Sequence, residues 1–169
     1  MPPQGAIKVL GIDPGLTVTG YGLVLAEGNS HRAIDFGFVA TNANQPKAER
    51  LHSIYSTISH VIRTQRPDEI AVEDFIVGHV RAAVSVGEAR AMALLAAAEA
   101  GQSPAMYKPS EVKQFVTSYG RGGKEQVQMM VQALLGLDRP PEPADAADAL
   151  AVALCHCLKR ANPVLEASR

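Results

Sequence analysis

Three apolar segments near the start of the chain, separated by turn signals, are typical of strands. Apolar segments cover Ile7–Asp13, 19–26 and 32–41, with turn signals at Pro14-Gly15 and at 27–30 between them. Two short connections in succession predict an antiparallel meander of three strands. The glycines at positions 20 and 22 predict that another part of the backbone approaches the second strand closely.

Beyond position 45 the apolar residues recur at helical spacing, interrupted by two short strands at 69–73 and 105–108. The predicted helices are 47–65, 81–100, 109–119, 124–135 and 143–159. A meander followed by alternating strands and helices predicts an α/β fold. We expect a mixed five-stranded sheet, with three antiparallel strands and two further strands, flanked by helices on both faces.

Length and composition predict one globular domain. The chain has 169 residues, of which 47% are hydrophobic and 20% are charged, enough for one core and too few for two large lobes. We expect a single domain over 1–161 and a flexible tail over 162–169. The sequence starts without the basic and apolar regions of a signal peptide, and no apolar run approaches the ~20 residues that span a bilayer. These features favour a cytoplasmic protein that does not enter a membrane.

The net charge of −1 excludes a surface that is basic throughout. Basic residues are nevertheless concentrated around the Gly-rich segment 120–123, where they are Lys108, Lys113, Arg121 and Lys124. Backbone N–H groups at glycines also bind phosphate, so this region is a candidate for DNA binding. A solvated helix face gives the same pattern, and the spacing of a P-loop is absent.

Two aspartates interrupt the last predicted helix, which is apolar on nearly every side. Asp145 and Asp148 are three positions apart, so they lie about 60° apart on one helix face. Two like charges on a buried helix are costly unless a cation compensates them. Asp145 alone also fits a solvated residue in the first turn, where the helix dipole favours acids. Asp148 fits that alternative poorly, and metal binding is the favoured interpretation.

Two further acids, Asp13 and Glu73, each end an apolar strand. Either one alone is equally typical of a residue that begins a turn. Together with Asp145 and Asp148 they form a set of oxygen ligands that suits Mg²⁺ or Mn²⁺. Two such ions about 4 Å apart commonly catalyse the displacement of a phosphodiester oxygen. The set of four therefore predicts a metal-dependent phosphodiester hydrolase.

In order along the chain, these residues and their neighbours resemble the RuvC family of Holliday-junction resolvases. The matching segments are Leu10-Gly11-Ile12-Asp13-Pro14-Gly15, Thr19-Gly20-Tyr21-Gly22, Ala71-Val72-Glu73, Gly87-Glu88-Ala89-Arg90, Val112-Lys113-Gln114, 124–131 and 144–151. They extend over nearly the whole chain, from about Ile7 to Lys159. No single segment is decisive, but the ordered set with this spacing is highly specific.

The resemblance implies an RNase H-like fold and a homodimeric endonuclease that nicks two strands of a four-way DNA junction symmetrically, in recombination and repair. It implies two Mg²⁺ ions per active site, with Mn²⁺ as the alternative. It also implies two partners, the junction-binding RuvA and the branch-migration motor RuvB.

The resemblance further implies roles for individual residues. The four metal-binding carboxylates of the family correspond to Asp13, Glu73, Asp145 and Asp148. Its functional lysines correspond to Lys113 and Lys124, which would contact DNA near the scissile phosphate, with Lys124 also stabilising charge there. An aromatic after the catalytic glutamate contacts bases in the family and corresponds to Phe75, although a core aromatic is equally compatible with that position. Lys108 and Arg121 are DNA-binding candidates through their place in the basic region.

Three alternatives stay open. The Ala-rich helix at 81–100 is favoured as a dimer surface, but it could equally pack on the sheet. An ATP-binding protein of the actin-like ATPase group shares the fold and a loop like Asp13-Pro14-Gly15-Leu16-Thr17, although that group needs two lobes. A catalytically silent scaffold that binds junctions is the third alternative, and the complete set of acids argues against it.

Overall fold

Five strands form one mixed sheet in the computed structural model, which describes residues 5–74, 78–117 and 123–162 without the side chain at position 124. The strands are β1 (Ile7–Asp13), β2 (Val18–Glu27), β3 (Ser30–Ala40), β4 (Glu69–Glu73) and β5 (Ala105–Tyr107). Their order in the sheet is β3-β2-β1-β4-β5. β1, β2 and β3 pair antiparallel, whereas β4 is parallel to β1 and to β5. The predicted mixed five-stranded sheet is confirmed.

The described helices cover both faces of this sheet. They are α1 (Lys47–Gln65), α2 (Val80–Glu99), α3 (Pro109–Thr117), α4 (Lys124–Leu135) and α5 (Ala144–Ala161). α1 and α2 pack together on one face, and α5 crosses β1 and β2 on the other, where it also contacts α3 and α4. Positions 118 and 119, included in the predicted third helix, lie outside the described residues. So do residues 163–169 of the predicted tail. In the part of the chain that is described, none of the helices has the length and apolarity needed to cross a membrane.

Alternation along β1 and β4 decides which face receives the acids. Leu10 and Ile12 belong to the core beneath α1 and α2, whereas Val9 belongs to the core beneath α5. Since successive side chains of a strand point to opposite faces, Asp13 falls on the α5 face. On β4, Ala71 lies in the α5 core, and the same alternation directs Glu73 to that face.

Glycines on β1 and β2 allow α5 to lie unusually close to the sheet. A Cβ atom on Gly11 would lie 2.1 Å from the carbonyl oxygen of Ala149, and one on Gly20 would lie 2.0 Å from that of Asp145. At Gly22 it would lie 2.7 Å from Cγ of Leu150. The close backbone approach predicted at Gly20 and Gly22 is confirmed, and it brings the first turns of α5 against the strands that carry the acids.

The Ala-rich helix α2 has two different faces. Ala89, Ala93, Ala96 and Ala97 are buried in the core shared with α1 and the sheet. On the other side, Val80, Val84 and Leu95 are exposed by 81%, 50% and 46%. Packing on the domain therefore occupies one face of α2 and leaves an apolar stripe on the other.

The contact between α5 and Gly11 predicts a specific effect on stability. Gly11→Ala should lower the free energy of unfolding by about 3 kcal/mol, the upper end of the usual cost of overpacking, because the obstacle is helix backbone. Urea denaturation measures the change. Gly78→Ala is the matched control, since its Cβ would meet no atom within 4 Å and Gly78 lies before α2. It should change the free energy of unfolding by less than about 1 kcal/mol. Equal stability of Gly11→Ala and the unsubstituted protein would contradict this account of the helix contact.

Candidate active site

The four acids singled out in the sequence line one cavity of about 320 Å³. It lies where β1 and β4 end, beneath the first turns of α5, and residues of α2, α3 and α4 complete its wall. Two strand ends and one helix thus contribute Asp13, Glu73, Asp145 and Asp148 to the same space.

Strand register and helix packing explain this convergence. Ile12 of β1 is paired with Val72 of β4 in parallel, so the next residues, Asp13 and Glu73, leave the two strands side by side. Asp13 is also paired with Gly20 of β2, and Gly20 lies directly against the backbone of Asp145. Asp148 follows one helical turn later on the same face.

The carboxyl groups are close enough to change the protonation of Asp13. Its pKa is raised from 3.8 to about 8, first by burial and then by the negative charges of Glu73 and Asp148. A hydrogen bond with the Glu73 side chain and the charge of Asp145 raise the pKa further. At neutral pH the Asp13 carboxyl therefore keeps a proton in the absence of a cation.

The chemistry of this donor set suits a hard divalent cation. Carboxylate oxygens are the preferred ligands of Mg²⁺ and Mn²⁺, and a cation would relieve the repulsion that raises the pKa of Asp13. As the side chains stand, however, no three His, Cys, Asp or Glu residues of the described ranges are grouped as a set of metal ligands. Asp13 and Glu73 are instead joined by their hydrogen bond, so metal binding requires that this proton leave.

Of the predicted DNA-binding residues, the structure brings Lys113 to the acids. It lies on α3 and lines the same cavity. Lys108, just before α3, is exposed and outside the cavity lining; its backbone N–H donates to Oε2 of Glu111. The backbone of Lys124 begins α4. The Lys124 side chain, like Phe75 and Arg121, falls outside the described part of the structure, and its predicted role stays a prediction.

A hydrogen-bond network fixes the loop between β1 and β2, which borders the cavity through Pro14 and Gly15. The buried Thr19 hydroxyl donates to the carbonyl oxygen of Gly15 at 2.7 Å and accepts the N–H of Gly15 at 3.2 Å. Thr41 donates to the carbonyl oxygen of Leu16 at 2.5 Å, and Nε of Arg50 donates to the Thr41 hydroxyl at 2.8 Å. These contacts hold the residues that follow Asp13 in one conformation.

Sequence reasoning missed two further features of the site. Val18 and Val86 form an apolar part of the cavity wall. Arg90 of α2 forms an ion pair with Asp74, the residue directly after Glu73. Arg90 belongs to the segment Gly87-Glu88-Ala89-Arg90 that carried part of the family resemblance, but nothing in the pattern indicated its partner, which lies sixteen positions away.

Comparisons with known proteins point to one family. The family model "Crossover junction endodeoxyribonuclease RuvC" matches residues 9–156. A protein of that name from Heliobacterium modesticaldum is 50% identical over 148 residues, which cover 87% of this chain and 91% of the relative. Another from Caldanaerobacter subterraneus subsp. tengcongensis is 43% identical over 161 residues, covering 95% and 96%.

A solved structure, "T. thermophilus RuvC in complex with Holliday junction substrate", superposes with a TM-score of 0.87 at 37% identity, over 92% of this chain and 95% of that one. The predicted RNase H-like fold is confirmed by this likeness. Since the family model matches most of the sequence and both relatives agree with it, the chain belongs to the RuvC family of crossover junction endodeoxyribonucleases.

Proposed function

We propose that this protein is a metal-dependent endonuclease that resolves Holliday junctions by paired symmetric nicks, in recombination and DNA repair. The observation that carries the proposal is the convergence of four carboxyl groups in one cavity of a chain of the RuvC family. The substrate is inferred from the solved relative, which is described in complex with a Holliday junction.

In this proposal the cavity holds two Mg²⁺ ions, or two Mn²⁺ ions, between Asp13, Glu73, Asp145 and Asp148. When bound, such ions polarise the phosphoryl oxygens and lower the pKa of an attacking water. The four carboxylates supply the negative charge that attracts and orients the cations. Asp13 gives up the proton that it shares with Glu73, which couples metal binding to pH.

The neighbouring residues orient the DNA. Lys113 lies beside the acids and is suited to bind the scissile phosphate from the α3 side. The apolar wall formed by Val18 and Val86 lowers the local dielectric constant, which strengthens this attraction. Following the family resemblance, Lys124 stabilises charge on the phosphate and Phe75 contacts bases. Lys108 and Arg121 extend the positive surface for more distant phosphates.

Two features favour a nuclease over the alternative functions. An actin-like ATPase binds its nucleotide between two lobes, whereas this chain has the length of one and belongs to a nuclease family. A silent scaffold would gain nothing from four carboxyl groups that face a phosphate, because like charges oppose binding. A divalent metal makes the same arrangement productive.

We further propose that the protein acts as a homodimer through the exposed stripe of α2, formed by Val80, Val84, Ala91 and Leu95. Apolar stripes of this kind on a helix commonly mark contact surfaces. A C2 dimer presents two identical active sites, which matches the two-fold symmetry of a four-way junction. RuvA and RuvB are its expected partners, in the cytoplasm where its DNA substrate lies.

The assignment of the acids predicts a separation of cutting from binding. Asp148→Asn should lower the rate of cutting a synthetic four-way junction in Mg²⁺ by about 100-fold or more, since metal stabilisation of the transition state is worth several kcal/mol. Junction affinity, measured by fluorescence anisotropy, should change little because basic residues supply most of it. Asp138→Asn, which neutralises an exposed acid outside the cavity, is the control and should cut normally. Near-normal cutting by Asp148→Asn would remove that residue from the metal site.

The raised pKa of Asp13 predicts how stability depends on pH in a chelator. The folded pKa is about 8 and the ordinary value is 3.8, so between these values the folded state binds more protons than the unfolded state. The free energy of unfolding should therefore fall as pH rises from about 4 to about 8. Urea denaturation should show a smaller decrease for Asp13→Asn, whereas Asp138→Asn should follow the unsubstituted protein. An unchanged pH dependence in Asp13→Asn would show that its carboxyl is not the titrating group.

The dimer proposal predicts an effect of a large charged residue on the α2 stripe. Ala91→Arg should give a monomer in light scattering, because Ala91 is exposed in the centre of the stripe. Junctions should then receive single nicks instead of paired ones. Ala133→Arg, on an exposed position of α4, should stay dimeric. A dimeric Ala91→Arg variant would place the interface elsewhere, and a monomer that still makes paired nicks would refute the dimer proposal.

A further inference from the structure

Glu73 occupies an unusual place at the end of β4. The parallel pairing of β4 with β1 ends at Val72, opposite Ile12, whereas its pairing with β5 continues through Glu73, opposite Tyr107. On the side of Asp13 the Glu73 backbone therefore lies one residue beyond the ladder. The Glu73 backbone, which carries the carboxyl group hydrogen-bonded to Asp13, is anchored there from the β5 side.

The next residue, Asp74, adds two contacts to this anchoring. Its backbone N–H donates to the carbonyl oxygen of Tyr107 at 2.7 Å, which continues the attachment to β5. Its carboxylate accepts a hydrogen bond from Nη1 of Arg90 on α2, and the two groups form an ion pair. Asp74 is thus held through both backbone and side chain, directly after the residue whose orientation matters for the site.

α2 is a firm support for this contact. Ala89 and Ala93, on either side of Arg90 in sequence, have no exposed surface and pack in the core with α1 and the sheet. Val86, one turn before Arg90, lines the cavity. The side chains of Arg90 and Asp74 are 29% and 38% exposed, and pairs with such access to solvent add little to stability. The Arg90–Asp74 ion pair therefore contributes chiefly by fixing the position of Asp74.

We infer that Arg90 is a positioning residue, which acts through Asp74 to hold the Glu73 carboxylate in place for metal binding and cleavage. The inference rests on the proposed nuclease function. Residues that orient metal ligands typically contribute 10–100-fold to metal affinity or activity, and a displacement of about 1 Å in an active site costs up to about 100-fold in rate. Arg90 itself touches neither substrate nor metal in this account.

The experiment compares Arg90→Gln, Asp74→Asn and the double variant with the unsubstituted protein. Each single variant should weaken Mn²⁺ binding in calorimetric titration by about 10-fold and lower the single-turnover cutting rate at saturating junction by a similar factor. Junction affinity without metal and the thermal unfolding midpoint should stay unchanged. The double variant should lose no more than either single variant, because both act through one contact.

Lys47→Gln is the matched control. It breaks the other ion pair to α2 described in the structure, between Nζ of Lys47 and Oε2 of Glu88 at 3.1 Å, and should leave Mn²⁺ affinity and cutting unchanged. The inference is overturned if Arg90→Gln binds Mn²⁺ and cuts like this control. It is also overturned if junction affinity falls as much as the rate, or if the double variant loses the product of both single losses. If the unsubstituted protein binds Mn²⁺ but does not cut junctions, the proposed function fails, while weaker Mn²⁺ binding by Arg90→Gln would still support the positioning role.

Discussion

The close contact between α5 and the sheet is the constraint on which the rest of the structure depends. With alanine in place of Gly11 or Gly20, the added Cβ would lie about 2 Å from a helix carbonyl oxygen, a separation that no packing allows. The helix would have to lift away from the strands, and Asp145 and Asp148 would move with it. Two residues without side chains thus decide whether acids far apart in sequence share one cavity.

The convergence of the acids has an electrostatic cost. Burial and three neighbouring carboxyl groups raise the pKa of Asp13 to about 8, so the site stores like charges that a hydrophobic core would avoid. The surrounding structure resists this repulsion through buried apolar contacts along α5 and through the hydrogen bonds that fix the loop after Asp13. Repulsion among these carboxyl groups favours the binding of a cation, which is a useful property in a metal-dependent enzyme.

Much of this arrangement could be predicted from the sequence, because it depends on local patterns. The bounds of β1 and β4 follow from short apolar runs that end in an acid, and those of α1 follow from helical periodicity. An all-round apolar helix with two aspartates indicates a buried acidic site. The two faces of α2 could not be separated, since alanines suit both a core and a helix contact. The Arg90–Asp74 pair joins residues of different elements, and no periodicity encodes it. Lys108 and Lys113 look equivalent in sequence. The packing of α3 brings Lys113, but not Lys108, to the lining of the cavity.

α2 connects the two properties that a resolvase must combine. One side of the helix presents the apolar stripe around Ala91 to a second copy, in the dimer we propose. The next residue back along the chain, Arg90, extends towards Asp74 and the end of β4. Because Ala89 and Ala93 fix α2 in the core, a dimer formed through its stripe would hold Arg90 in the same position in both protomers. The two strands of a symmetric junction would then meet the same arrangement at the end of β4 in each site.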